Sequence, residues 1–206
     1  MEIHMSELKS KWKTCAEFHG HECLGLAIGV RQSVHAMEAL GVIRAGDEEL
    51  VAVVETDACG IDAIQVLTGC TIGKGNLIYK NTGKQALTLA DRNTGKAVRI
   101  ILKADALNED EAFKEVRDQI VNGTTDLEVT ARWEEIQAER VDEFLSLTKD
   151  ELFRITDVAF PEVPPAHLFQ TVICFRCGEP FSEGKARLVD GQILCLGCYQ
   201  EYSRGW

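Results

Sequence analysis

Four cysteines near the end of the chain constrain it more than any other feature. Cys174 and Cys177 form one Cys-x2-Cys pair and Cys195 and Cys198 the other, with 17 residues between the pairs. Two intervening residues let both thiolates of a pair reach one ion from a tight turn. The pattern points to Zn2+ ahead of its rivals, a redox-active Cys-x-x-Cys and an iron–sulfur site. Gly178 follows the first pair, where such a turn needs an unusual backbone conformation. Between the pairs, Asp190-Gly191 is a two-residue hairpin signal. The second pair opens "CLGCYQEYSRGW", which reads as a short helix. Knuckle, hairpin and ligands at a helix start make the layout of a treble-clef finger. The tail is under about 40 residues, a size that hardly folds without a staple, so zinc would supply much of its folding free energy. Four thiolates close the coordination sphere, which makes this a structural site.

A composition break separates the finger from what precedes it. "FPEVPPAHLFQ", residues 160–170, holds three of the four prolines. Proline fixes φ and removes a donor, so the segment reads as a semi-rigid linker. The expected division is a core over residues 1–160, a linker over 161–170 and a four-cysteine zinc finger over 171–206. At 206 residues and 45% hydrophobic content, the chain can bury a real core before the finger.

The formal net charge of −11 argues against a broad nucleic-acid footprint. Within the tail, Arg176, Lys185, Arg187 and Arg204 are balanced by Glu179, Glu183, Asp190 and Glu201, which favours a packing or protein-contact role. No run of about 18 apolar residues indicates a membrane span. "MEIHMSELKSKWK" lacks the apolar stretch of a secretory signal, so the expected compartment is the cytoplasm. Eight cysteines in such a compartment indicate metal or redox chemistry rather than disulfides.

Residues 5–18 and 23–40 read as helices. In the second, Leu24, Ala27, Ile28, Val34 and Met37 make one apolar stripe, and Gly25 and Gly29 lie one turn apart, as close packing against another element requires. Gly41 is a plausible C-cap. "LVAVVET", residues 50–56, is a buried strand. A turn and a short helix ending at Gly69 follow. "NLIYK" and "QALTLADRNTGKAVRIIL" read as strands, the latter a hairpin about residues 91–96. Residues 108–122 and 125–148 read as helices and "ELFRITDV" as a last strand. The fold class is α+β: a small sheet packed with helices, then the finger. "GCTIGKGN" is no Walker A loop. Gly69 to Gly73 leaves one residue too few, and Gly75 replaces the hydroxyl residue that would hold magnesium. A tight loop or an anion-binding nest stays open for its glycines.

The second chemical signal is "EFHGHECLGLAIG", with His19, His21 and Cys23 on alternate residues. In an extended segment all three would share a side. In a helix, His19 and Cys23 would share a face, with Cys15 a turn earlier and His21 elsewhere. Gly20 favours a non-helical entry into the next helix. A cysteine at a helix N-terminus is expected to have a lowered pKa, which suits a metal ligand or a nucleophile. Cys59 sits just past the end of a buried strand, with Asp57, Asp62 and Cys70 near it in sequence. His19, His21 and Cys23 as one wall of a cavity with Cys59 opposite would offer mixed imidazole and thiolate donors, suited to zinc or another late first-row metal. Cys23 and Cys59 are also the candidate catalytic thiols. The bland alternative is backbone-bonded histidines and core cysteines.

"FHGHECLGLAIGVR", "ACGIDAIQVLTGCTIGKGNLIYK" and "TGKAVRI", in that order, resemble the formylmethanofuran dehydrogenase E-subunit-like family over roughly the first 150 residues. The cysteine-rich tail is similar to the finger appended in some members. Leu24 stands where the family usually has proline after its cysteine, which loosens the helix start. The resemblance implies an α+β core, often a homodimer, with His19, His21, Cys23 and Cys59 around a cavity. It also implies a link to formylmethanofuran dehydrogenase, a molybdenum or tungsten pterin enzyme of methanogenesis. The chain has no ferredoxin-type cysteine runs and is short for a pterin active site. The expected role is therefore a metal-binding accessory protein or subunit beside oxidoreductase subunits or another protein partner, with a second transition metal in the core. The alternatives are a stand-alone metal- or thiol-dependent enzyme acting on a small molecule, and a protein–protein binding module.

Overall fold

The computed structural model describes residues 4–107 and 111–202. The chain forms two compact units, Met1–Pro165 and Ala166–Trp206. The first holds helices α1 (Met5–His19), α2 (Leu24–Leu40), α3 (Gly60–Thr68), α4 (Glu111–Val121), α5 (Leu127–Ser146) and α6 (Lys149–Leu152). Its five strands are β1 (Leu50–Val54), β2 (Leu77–Tyr79), β3 (Ala86–Asp91), β4 (Lys96–Leu102) and β5 (Phe153–Val158). They form one sheet in the order β2-β1-β3-β4-β5, with β1 and β2 parallel and the other pairs antiparallel. The helix expected over residues 108–122 is present from Glu111, and residues 108–110 lie outside the described residues. Among the described residues no helix is long and apolar enough to cross a membrane.

Strand β1, between β2 and β3, is buried along its whole length, as its unbroken apolar run requires. Helix α2 packs on β3 and β4, with α1, α3 and α5 around it. Every residue of α2 from Leu26 through Ala36 is buried, so it is enclosed on all faces rather than along one apolar stripe. Its polar residues survive burial because each is bonded. Ser33 Oγ donates to Gly29 O (2.7 Å), and Gln32 Nε2 donates to Gln85 O (2.9 Å). Arg31 donates to Leu145 O and Leu147 O, both at 2.6 Å, so its guanidinium closes the open end of α5.

One contact decides the layout around α2. A Cβ on Gly29 would lie 2.1 Å from Gly60 O and 2.4 Å from Gly60 Cα. Backbone meets backbone there, so no side-chain rotation could relieve the overlap. This is the close packing that the paired glycines signal, and its partner is the first residue of α3.

Four local features refine or depart from the sequence expectations. "ELFRITDV" does not begin as strand: Thr148 and Glu151 form a reciprocal capping box that starts α6, and β5 begins only at Phe153. The loop "GCTIGKGN" is a tight loop tied by its side chains to the chain entering β1. Lys74 Nζ donates to Asp47 O (3.2 Å), and the fully buried Asn76 donates to Asp47 O (3.2 Å) and Leu50 O (2.9 Å). The proline segment is engaged before it becomes a connector. Phe160 and Val163 pack against Val51, Ala90 and Ala97, and Arg92 donates to Val163 O (2.8 Å). The division between compact units consequently falls after Pro165.

The fourth difference lies in the second unit. It consists of two hairpins, β6 (Thr171–Ile173) with β7 (Pro180–Ser182), and β8 (Arg187–Val189) with β9 (Gln192–Leu194). Asp190 and Gly191 both have positive φ, 48° and 77°, as the tight turn between β8 and β9 needs. Of the short helix expected from Cys195 onward, residues 195–202 form a turn and irregular chain, and residues 203–206 lie outside the described residues.

The packing of α2 can be tested at two residues. Gly29→Ala should destabilise the chain by about 3 kcal/mol, the upper end for overpacking, because the clash is with backbone. Urea denaturation measures this, and a loss of a few tenths of a kcal/mol would show that α2 and α3 can separate freely. The second residue is His35, whose Nε2 accepts from Arg31 Nε (3.3 Å) while Nδ1 donates to Glu38 Oε2 (3.0 Å). Burial holds its pKa below the ordinary 6.5, against the pull of the Glu38 carboxylate, and the Arg31 charge adds to the depression. The unfolded imidazole therefore takes up its proton first. Its contribution to stability is complete above about pH 6.5 and declines as pH falls toward the lowered folded value. The melting temperature should drop between neutral pH and about pH 5, and His35→Gln should flatten that drop. An unchanged slope would clear His35 of this role.

Candidate metal centres

Two groups of side chains among the described residues have metal-ligand geometry. In the second unit the turns of residues 174–177 and 195–198 face each other. Gly178 has φ 74° and donates to Cys174 O (2.9 Å), closing the first turn as expected. Tyr199 N donates to Cys195 O (2.9 Å) in the second. The four Sγ atoms lie within 4.8 Å of one another, with Cys177 Sγ and Cys195 Sγ 4.0 Å apart. A tetrahedral Zn2+ with bonds of about 2.3 Å needs sulfurs about 3.8 Å apart, so the donor set fits the ion. Backbone N–H groups of Cys177 and then Cys195 pull the Cys174 thiol down to about 6. Cys195 N lies 3.4 Å from Cys174 Sγ. Such N–H···S bonds favour the thiolate that a metal needs.

The second group is in the core: His19, His21, Cys23 and Cys59, one donor atom from each, all within 4.8 Å. The segment bearing the first three is neither wholly extended nor wholly helical. His19 is the last residue of α1, Gly20 turns the chain with φ 92°, and Cys23 is the extended N-cap of α2. The left-handed glycine, rather than strand alternation, brings these donors together. Cys23 Sγ caps its own helix, accepting from Leu26 N at 3.4 Å, so the cysteine itself does at the helix start what a following proline would help to do. Cys59 caps α3 by position, and its thiol makes no capping bond. The Gly29–Gly60 contact holds these two helix starts together. A Cβ on Gly25 would lie 3.7 Å from Cys59 Sγ and 4.0 Å from Cys23 Sγ.

His19 is oriented by a residue to which the sequence assigns no role. Its Nδ1 is 2.7 Å from Asp62 Oδ2, while its Nε2 faces Cys23 Sγ at 3.9 Å. The carboxylate accepts the Nδ1 proton, which leaves the Nε2 lone pair directed into the group. Gln65 Nε2 donates to the other oxygen of Asp62 at 3.4 Å. The signal was available: Asp62 follows Cys59 by three residues, one turn along α3, but nothing in the sequence says which side chain it meets. The lowered Cys23 pKa expected from the helix dipole is overridden. Burial pushes the thiol up against the Leu26 N–H, and the neighbouring Cys59 thiol raises it further. The remaining nearby residues stay out of the group. Cys15 is fully buried, its thiol pushed up to about 12 by burial, Cys70 is fully buried in the main core, and Asp57 stands beside the Tyr79 hydroxyl.

Residues 18–154 match the family model described as "FmdE, Molybdenum formylmethanofuran dehydrogenase operon". The chain belongs to the FmdE family. Residues 168–204 match the "Prokaryotic dksA/traR C4-type zinc finger", so this FmdE protein carries a C4 zinc finger and is a metal-binding protein. The crystal structure of an FmdE-like protein of tungsten formylmethanofuran dehydrogenase type, from Syntrophus aciditrophicus, shares the fold. Its TM-score is 0.60 at 24% identity, covering 96% of this chain and 92% of that one. A protein of Archaeoglobus fulgidus named "Probable S-adenosyl-L-methionine-binding protein" is 38% identical over 197 residues. The match covers 90% of this chain and 51% of the relative, so the chain spans about half the length of that protein.

Cys177→Ser should release about one zinc equivalent per chain and open residues beyond 170 to protease while the core resists. Zinc content unchanged by the substitution would exclude Cys177 as a ligand.

Proposed function

We propose that this FmdE protein is an accessory metal-binding protein whose core holds a second, late first-row transition metal, zinc foremost, through His19, His21, Cys23 and Cys59. The observation that carries the reading is the orientation of His19. Asp62 occupies Nδ1, so Nε2 is the free donor, and it faces the Cys23 thiol within a group of four donors. Two imidazoles and two thiolates suit zinc, cobalt or nickel better than magnesium or calcium. A metal there would supply Lewis acidity or a transferable ion. The chain's own part is to converge two helix starts and a helix end on one point, with Asp62 fixing the ring of His19. The family's description supports work beside an oxidoreductase of the formylmethanofuran dehydrogenase kind, with the larger chemistry in other chains. Binding of S-adenosyl-L-methionine is named for a relative of which this chain spans about half, and the core site does not depend on it.

The full chain, purified without chelator and supplied with zinc, should hold two equivalents. Cys59→Ser should hold one, with the finger intact by protease resistance. One equivalent in both chains would refute the core site. Loss of both in Cys59→Ser would show that the substitution unfolds the chain, and Cys23→Ser would then be the deciding variant.

A further inference from the structure

The four core donors are not held alike, and the difference has a chemical meaning. Three are anchored. His19 ends a helix and is tied through Nδ1 to Asp62 at 2.7 Å. Cys23 is fixed as the N-cap of α2 by Leu26 N. Cys59 leads into Gly60, whose backbone is pressed against Gly29 and Gly25. His21 is different. It is exposed, it lies in the bend after Gly20, and among the described residues its ring has no hydrogen-bond partner. Its one ring contact is a tilted stack on His19, centroids 4.3 Å apart. A Cβ on Gly20 would meet nothing within 4 Å, so the space beside the bend is open.

We propose that His21 is the exchangeable ligand of the core site. On this assignment, which rests on the metal reading above, His19, Cys23 and Cys59 form a fixed three-donor seat. His21 closes the fourth position from solvent and leaves it to a small monodentate anionic donor. Ordering an untethered side chain costs conformational entropy that the three anchored donors do not lose again on binding. His21 is thus the weakest link of the set, and the one exposed donor among four whose other members are half-buried. Three protein ligands with one open position is the arrangement of zinc sites that act on ligands, in contrast to the closed finger. The anionic preference comes from the backbone: α2 and α3 both begin at the site, and their N-termini favour negative charge. The carboxylate of Asp62, the nearest acidic group to a donor, is engaged with His19.

The test uses the full chain loaded with cobalt, with cobalt-loaded Cys59→Ser as the finger-only blank, so that the difference spectrum reports the core alone. His21→Ala should keep core cobalt, with affinity measurably lowered against a chelating dye. His19→Ala should lose it. The ligand-field bands should shift with azide in both wild type and His21→Ala, at lower azide in the variant, where no imidazole competes. A second arm with 2-mercaptoethanol distinguishes sources of the anionic donor, since a bound thiolate adds sulfur-to-metal charge-transfer absorption and azide does not. Complete loss of core cobalt in a folded His21→Ala would make His21 a fixed ligand and overturn the proposal. So would core cobalt of unchanged affinity and spectrum, or bands that ignore azide in the variant. Absence of core cobalt from the wild type is a separate result that removes the metal reading itself.

Discussion

Gly29 and Gly60 pack backbone on backbone, and the chemistry of the core depends on that contact. At this distance any side chain on Gly29 would push α3 away from α2. Cys23 and Cys59 sit at the starts of those two helices, so the same separation would part the thiols. Glycine inside a helix costs stability, about 1 kcal/mol relative to alanine, and Gly29 lies inside α2. The burial of α2 on all sides offsets that cost, and His19, Cys23 and Cys59 are placed by helix ends while His21 lies in the bend between α1 and α2.

Enclosing α2 creates a second demand. Arg31, Gln32, Ser33 and His35 go into the interior with it, and each needs a partner. The solution uses backbone that other elements leave open: the last carbonyls of α5, the carbonyl of Gln85, and the helix's own Gly29 carbonyl. These bonds fix α2 in rotation as well as position. A stripe of leucines would tolerate some slippage, whereas a guanidinium bonded to two carbonyls does not. The polar groups thereby hold the angle from which Cys23 presents its sulfur to Cys59.

The two candidate metal centres separate by chemistry. The finger offers four thiolates from two tight turns, a closed and uniform donor set in a unit with little core of its own. The core centre mixes imidazole with thiolate and lies in a unit that packs a large apolar interior without it. In the first case binding the ion and folding are coupled. In the second the unit has an apolar interior of its own, and the candidate donors are oriented by neighbours such as Asp62.

Much of the molecule is local and was legible in the residues alone. The cysteine pairs with Gly178, the Asp190-Gly191 turn, the glycine caps of α1 and α2, and the apolar run of β1 each carry their information within a few positions, because caps, turns and strands are set by short-range sterics and hydrogen bonds. The capping box of α6 was equally local and is hidden in the sequence by the strand-like residues after it. Tertiary structure alone decided the rest. It paired Gly29 with Gly60, turned Asp62 onto His19, committed Lys74 to the Asp47 carbonyl and Asn76 to that of Leu50 in β1, and raised the Cys23 thiol by burial where the helix dipole predicts lowering. Each of these depends on which distant backbone comes within a few ångströms, and residue spacing along one chain does not encode that distance.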